Sequence, residues 1–94
     1  LYGLDFSRSS KQDLKKINKT DQAFILNSLE SFTQKFSSEY EISLMSNGKI
    51  KKLQGQKEVL YRLKLRSFRV IYKKYEDKLV ILVLNVTTRE SAYK

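Results

Sequence analysis

The chain has no cysteine, which removes disulfide frameworks, cysteine-type zinc clusters and thiol nucleophiles together. It has no histidine either, so histidine general bases, histidine metal ligands and a histidine pH switch are excluded. Proline and tryptophan are also missing, and the only glycines are Gly3, Gly48 and Gly55. Their spacing makes no phosphate-cradling loop. The longest unbroken apolar run, Leu79 to Leu84, falls far short of the roughly 20 residues that span a bilayer. No basic-then-apolar leader precedes the first expected element, so a cytoplasmic protein with no membrane partner is expected. The 10 acidic residues are scattered, with no pair placed to flank a substrate and no metal cluster.

What remains is basic and moderately apolar. The 94 residues suit one domain, 1–94, and 40% hydrophobic residues with 12% aromatics supply a small core. Lysine and arginine total 19, giving a net charge of +9. In residues 1–47 the bases Arg8, Lys11, Lys15, Lys16, Lys19 and Lys35 are balanced by as many acids. The whole excess therefore falls in residues 48–94, where the acids are Glu58, Glu76, Asp77 and Glu90. Such asymmetry points to a polyanionic partner, the alternative being a surface tuned for solubility.

Periodicity predicts an α+β fold: an N-terminal strand, a two-helix hairpin and a mainly antiparallel sheet. Tyr2 to Phe6 reads as a strand, and Ser7 caps a helix to about Asn18. Thr20 is the expected cap of a second helix to about Phe36, whose buried stripe is Ile25, Leu29, Phe32 and Phe36, widened by Leu26. Ser37 to Gly48 reads as a polar connection ending in an Asn47-Gly48 turn. Beyond it the period becomes two. Val59, Tyr61, Leu63 and Leu65 alternate with Leu60, Arg62, Lys64 and Arg66, and Phe68, Val70 and Tyr72 alternate with Arg69, Ile71 and Lys73. A tight turn near Arg66-Ser67 joins the two. Leu79 to Val86 reads as a central strand covered on both faces.

Arg62, Lys64 and Arg66 recur about 6.5–7 Å apart along one strand, a spacing suited to successive phosphates. Arg69 joins them if the hairpin register permits, with Leu60 and Ile71 as apolar rests for a base. The plain alternative is a solvent-facing strand with basic edge protection. In a short C-terminal helical segment, Arg89 and Tyr93 would share one face, suited to a phosphodiester and its base. If the chain is an enzyme, lysine, arginine and tyrosine must carry the chemistry, and stabilising a phosphoryl transition state is what they do best.

The order of Lys52-Leu53-Gln54-Gly55, Leu60-Tyr61-Arg62-Leu63, Phe68-Arg69-Val70-Ile71-Tyr72 and Arg89-x-x-x-Tyr93 resembles the RelE/ParE toxin superfamily. Leu4-Asp5-Phe6 and Leu63-Lys64-Leu65-Arg66-Ser67 resemble the RelE branch in particular, and the resemblance covers essentially the whole chain. It implies the toxin of a prokaryotic type II toxin–antitoxin pair, a ribosome-dependent endoribonuclease that cuts mRNA in the A site. The implied reaction is attack by a ribose 2′-hydroxyl on the adjacent phosphate, without metal or cofactor. The resemblance places catalysis on Arg62, Lys64, Arg69, Arg89 and Tyr93. Arg66 matches a further basic position, and Lys51, Lys52, Arg66 and Lys73 are the expected RNA-binding residues. Implied partners are an acidic cognate antitoxin, the ribosome and mRNA. Some relatives use glutamate or histidine as general base, and neither stands at a matching position. The alternatives are a ParE-like inhibitor of DNA gyrase and a non-catalytic nucleic-acid-binding module.

Overall fold

The computed structural model describes residues 1–55 and 57–88; the expected C-terminal helical segment lies outside them. The elements run β1 (Gly3–Phe6), α1 (Arg8–Lys15), α2 (Lys19–Lys35), α3 (Ser38–Ser46), β2 (Ile50–Lys52), β3 (Tyr61–Leu65), β4 (Phe68–Tyr75) and β5 (Val80–Thr88). The strands form a five-stranded sheet of order β1-β5-β4-β3-β2. Every pairing is antiparallel except β1 with β5, so the expected α+β class holds.

Local chemistry explains where the helices begin. Ser7 caps α1 as expected, its hydroxyl accepting from the Ser10 N–H at 3.0 Å. Asn18, not Thr20, caps α2. Its side-chain oxygen accepts from the Asp21 N–H at 2.9 Å, while its amide donates to the Asp21 carboxylate at 2.9 Å. That reciprocal pair engages both ends of the amide, which a threonine hydroxyl at position 20 would not match. Ile25, Leu29, Phe32 and Phe36 form the buried stripe of α2. Leu26 is 38% exposed and does not widen it, because one residue turns the helix by about 100°.

The connection expected from Ser37 to Gly48 is largely helix. Ser37 caps α3 through the Tyr40 N–H at 3.1 Å. The helical stripe is hidden in the sequence because one of its inward positions is charged: Glu41 is 4% exposed. Its carboxylate accepts from the Tyr72 hydroxyl at 2.6 Å and from Lys74 Nζ at 2.6 Å. A buried carboxylate satisfied on both oxygens ties α3 to the middle strand. The edge strand β2 is equally hard to foresee, being three residues with two lysines.

The core lies between α2, with α3, and one face of the sheet. Tyr72 is fully buried and stacks on Tyr61 at 5.3 Å and on the edge of Phe32 at 5.4 Å. Strand β5 is interior but not central, since β4 holds the middle. Its core-facing Ile81, Val83 and Val86 are buried, whereas Leu82 and Leu84 are half-exposed rather than covered. Leu84 is the extra residue of a bulge opposite Ile71 and Tyr72. Past the short β1, backbone groups of β5 find other partners: Ser7 donates to the Val83 and Leu84 carbonyls, each at 2.9 Å. The Val86 N–H donates to Asp13 Oδ2 at 2.9 Å, so α1 covers the strand's open edge.

The Glu41 network generates a stability prediction. Burial and the Glu41 carboxylate raise the Tyr72 phenol far above its ordinary value near 10. Burial opposes the charge on Lys74, but the hydrogen bond to Glu41 outweighs it, and its pKa is raised from 10.5. Groups raised by folding stabilise below their unfolded values and lose that contribution as pH rises through the folded ones. Stability should therefore fall above about pH 10, and less steeply in Tyr72→Phe. Glu41→Ala, which strands the Lys74 charge, should cost about 3 kcal/mol at pH 7. Urea unfolding from pH 7 to pH 11 measures both.

Candidate nucleic-acid interface

Strand register settles where the cations go. Burying Tyr61, Leu63 and Leu65 turns Arg62 and Lys64 to the face away from α2. Arg62 pairs with Lys51 on one side and with Ile71 on the other, and Ile71 pairs with Asn85. The next row is Lys64, Arg69 and Thr87. Two rows of side chains thus run straight across the sheet, and the hairpin register does bring Arg69 beside the β3 cations.

Within these rows Lys51, Leu53, Arg62, Arg69, Ile71, Asn85 and Thr87 line a groove of about 400 Å³. Its two arginines are held by backbone. Arg62 Nη2 donates to the Gly48 carbonyl at 2.9 Å. Arg69, 5% exposed, donates through Nη1 to the carbonyls of Arg66 at 3.0 Å and Phe68 at 2.9 Å. Its Nε is buried with no hydrogen-bond partner among the described residues. Arg69 lines the groove with no carboxylate paired to it among the described residues, so its positive charge favours an anion there. Ile71 supplies the apolar floor. Asn85 Nδ2 donates to Ser9 Oγ at 3.1 Å, linking the groove to the start of α1.

The remaining expected site residues are more dispersed. Lys64 lies in the second row beside Arg69. Arg66 belongs to the two-residue turn between β3 and β4, with a left-handed φ of 56°, and its guanidinium carbon sits 3.8 Å from the centre of the Phe24 ring on α2. Lys52 pairs with core-facing Tyr61, so it projects from the opposite face to Lys51. Lys73 shares the groove's face further along β4, paired with Glu58, whose hydrogen bond raises the lysine's pKa. Leu60 precedes β3 and accepts the Leu53 N–H at 2.9 Å. Arg89 and Tyr93 lie outside the described residues. Sequence reasoning missed Asn85 and Thr87; their signal is the polar interruption that ends the apolar run of β5.

Chemically, such a groove can bind a phosphodiester through fixed guanidinium donors and rest a base or sugar on Ile71. Among the described residues no group of three or more acidic side chains gathers to hold a metal ion, and no helix is long and apolar enough to cross a membrane.

With α2 and α3 on one face of a five-stranded sheet and a row of cations on the other, this is a small basic α+β fold. The sequence model of the family described as the ParE toxin of type II toxin–antitoxin systems, parDE, matches residues 4–93. The chain therefore belongs to that family, within the RelE/ParE superfamily. Solved structures of similar fold include RelE toxins. The toxin of the intact E. coli RelBE complex is 24% identical, with 94% of this chain and 96% of that one covered and a TM-score of 0.67. RelE from the archaeal RelE–RelB complex of Pyrococcus horikoshii is 25% identical, with 94% of each chain covered and a TM-score of 0.67. Isolated E. coli RelE is 22% identical, with 99% of this chain and 96% of that one covered and a TM-score of 0.67. The likeness of fold thus falls on the RelE branch. A comparison with curated protein sequences finds no match.

Anion binding in this groove would respond to a reversed charge on its rim. Lys51→Glu, at an exposed position, should lower affinity for a fluorescent single-stranded RNA at least about tenfold while leaving the melting temperature unchanged. Fluorescence anisotropy at two salt concentrations measures it.

Proposed function

We propose that this toxin is a ribosome-dependent mRNA endoribonuclease acting in the A site. The observation that carries the reading is the pair of cross-strand rows, Lys51–Arg62–Ile71–Asn85 and Lys64–Arg69–Thr87, with two arginines anchored to backbone. In the reaction the ribose 2′-oxygen forms a bond to the adjacent phosphorus as the bond to the 5′-oxygen breaks. The 2′-hydroxyl gives up a proton, the leaving oxygen gains one, and the products carry a 2′,3′-cyclic phosphate and a 5′-hydroxyl.

Arg69 and Arg89 hold the scissile phosphate and its developing charge, with Arg62 alongside. Lys64 balances charge or assists proton transfer, and Tyr93 stacks on a base or orients the 2′-hydroxyl. Lys51 and Lys73, on the same face, guide the strand, and Lys52 and Arg66 meet RNA at the margins. The ribosome presents the message and supplies much of the alignment, so free RNA should be a poor substrate. Several RelE structures are complexes with RelB antitoxins, which supports an antitoxin partner here. An acidic segment that masks the cations is the partner the net charge of +9 favours.

Primer extension on a reporter message with purified ribosomes tests the reading. Cuts should fall within the A-site codon, require ribosomes and drop about 100-fold or more in Arg62→Ala and in Arg89→Ala. No cutting by a folded sample would overturn it, and inhibition of gyrase supercoiling would then favour the ParE-like alternative.

A further inference from the structure

Where β2 begins and β3 turns into β4, Lys49, Lys64 and Arg66 surround one hollow of about 360 Å³, whose wall is completed by Asn47 and Gly48. One step beyond the Ile50–Leu63 pair, the Lys64 N–H donates to the Lys49 carbonyl at 2.9 Å. The two lysines are thus cross-strand neighbours, and Lys64 is in turn opposite Arg69. Like charges directly opposite in a sheet are destabilising. No carboxylate relieves these: the ion pairs among the described residues are Lys73–Glu58 and Lys74–Glu41.

The third cation is fixed in place. Arg66 takes a left-handed backbone that glycine usually occupies, and its guanidinium lies over the Phe24 ring. Stacking uses the face of the guanidinium and leaves its edge, which carries the N–H donors, for an anion. Three cations line one hollow, one of them held by an aromatic ring and none paired with an acid among the described residues, an arrangement suited to a phosphate.

We propose that this hollow is a second phosphate site, holding a backbone phosphate of the same RNA strand whose scissile phosphate lies in the Arg62–Arg69 groove. The inference rests on the reading of that groove as an RNA interface. Adjacent strands are about 4.8 Å apart, so the hollow lies within one or two nucleotides of Arg69. Lys49 and Arg66 are its binding residues, Lys64 belongs to both sites, and Phe24 is a positioning residue acting through Arg66. The site fixes which nucleotide meets the cutting groove by gripping the strand to one side of it.

Binding is the direct test, using a fluorescent 2′-O-methyl hexaribonucleotide that cannot be cut. Lys49→Ala and Arg66→Gln should each weaken binding about tenfold and make the slope of log affinity against log salt less negative by about 0.7. Phe24→Leu should weaken it several-fold in the native chain and have no effect in the Arg66→Gln background, which a general loss of packing would not reproduce. Melting temperatures identify any variant that fails to fold. Unchanged affinity and slope in both cation variants would overturn the hollow while leaving the groove intact. Weakened ribosome co-sedimentation with unchanged oligonucleotide binding would also overturn it, since the phosphate would then be ribosomal. Failure of the native chain to bind the oligonucleotide would overturn the groove reading itself.

Discussion

Side chains alternate along a strand, and a sheet packed against helices on one face leaves them no freedom about which side they take. Burying Tyr61, Leu63, Val70 and Tyr72 against α2 commits Arg62, Lys64, Arg69 and Ile71 to the other side as a set. A slip of one residue in β3 would bury two cations and expose three core side chains. The hydrophobic register is therefore also the register of the charged groove. Fold stability and site geometry share one cause.

The sheet bears the cost of crowding like charges in two ways. Arginines are tied to backbone carbonyls, Arg62 to Gly48 and Arg69 to Arg66 and Phe68, which fixes their direction without neutralising them. Acids are kept elsewhere. Glu41 is buried on the core side with Tyr72 and Lys74, and Glu58 meets Lys73 further along β4. Positive potential is thereby concentrated over the rows that run from Lys51 to Asn85 and from Lys64 to Thr87, where a polyanion would lie.

Much of this is legible in the amino-acid sequence. The stripe of α2, the alternation of β3 and β4 and the turn at Arg66-Ser67 were all readable, because each follows from a simple period. The features that escaped it break that simple logic. Glu41 occupies an inward position of α3, so the helix shows no clean apolar stripe. Strand β2 is too short to have a period, and a reciprocal Asn18–Asp21 pair outcompetes a threonine cap through contacts that a list of capping preferences does not contain. Spacing predicts that Arg62 and Lys64 share a face, which Arg69 joins through the hairpin register, but Lys52 and Arg66 show what spacing misses. Lys52 follows Lys51 and so takes the other face, while Arg66 leaves the strand for a turn and a partner on α2. Lys49 sits outside any strand, and only the three-dimensional hollow singles it out.

The most direct test of the proposed reaction is the chemistry of the cut ends. A message carrying a 2′-O-methyl group at the cut nucleotide of the A-site codon, and its unmodified twin, would be incubated with ribosomes and the protein. The unmodified message should yield a 2′,3′-cyclic phosphate and a 5′-hydroxyl, and the methylated one should survive. Cutting of the methylated message, or ends with a 5′-phosphate, would contradict a mechanism in which the 2′-oxygen is the nucleophile.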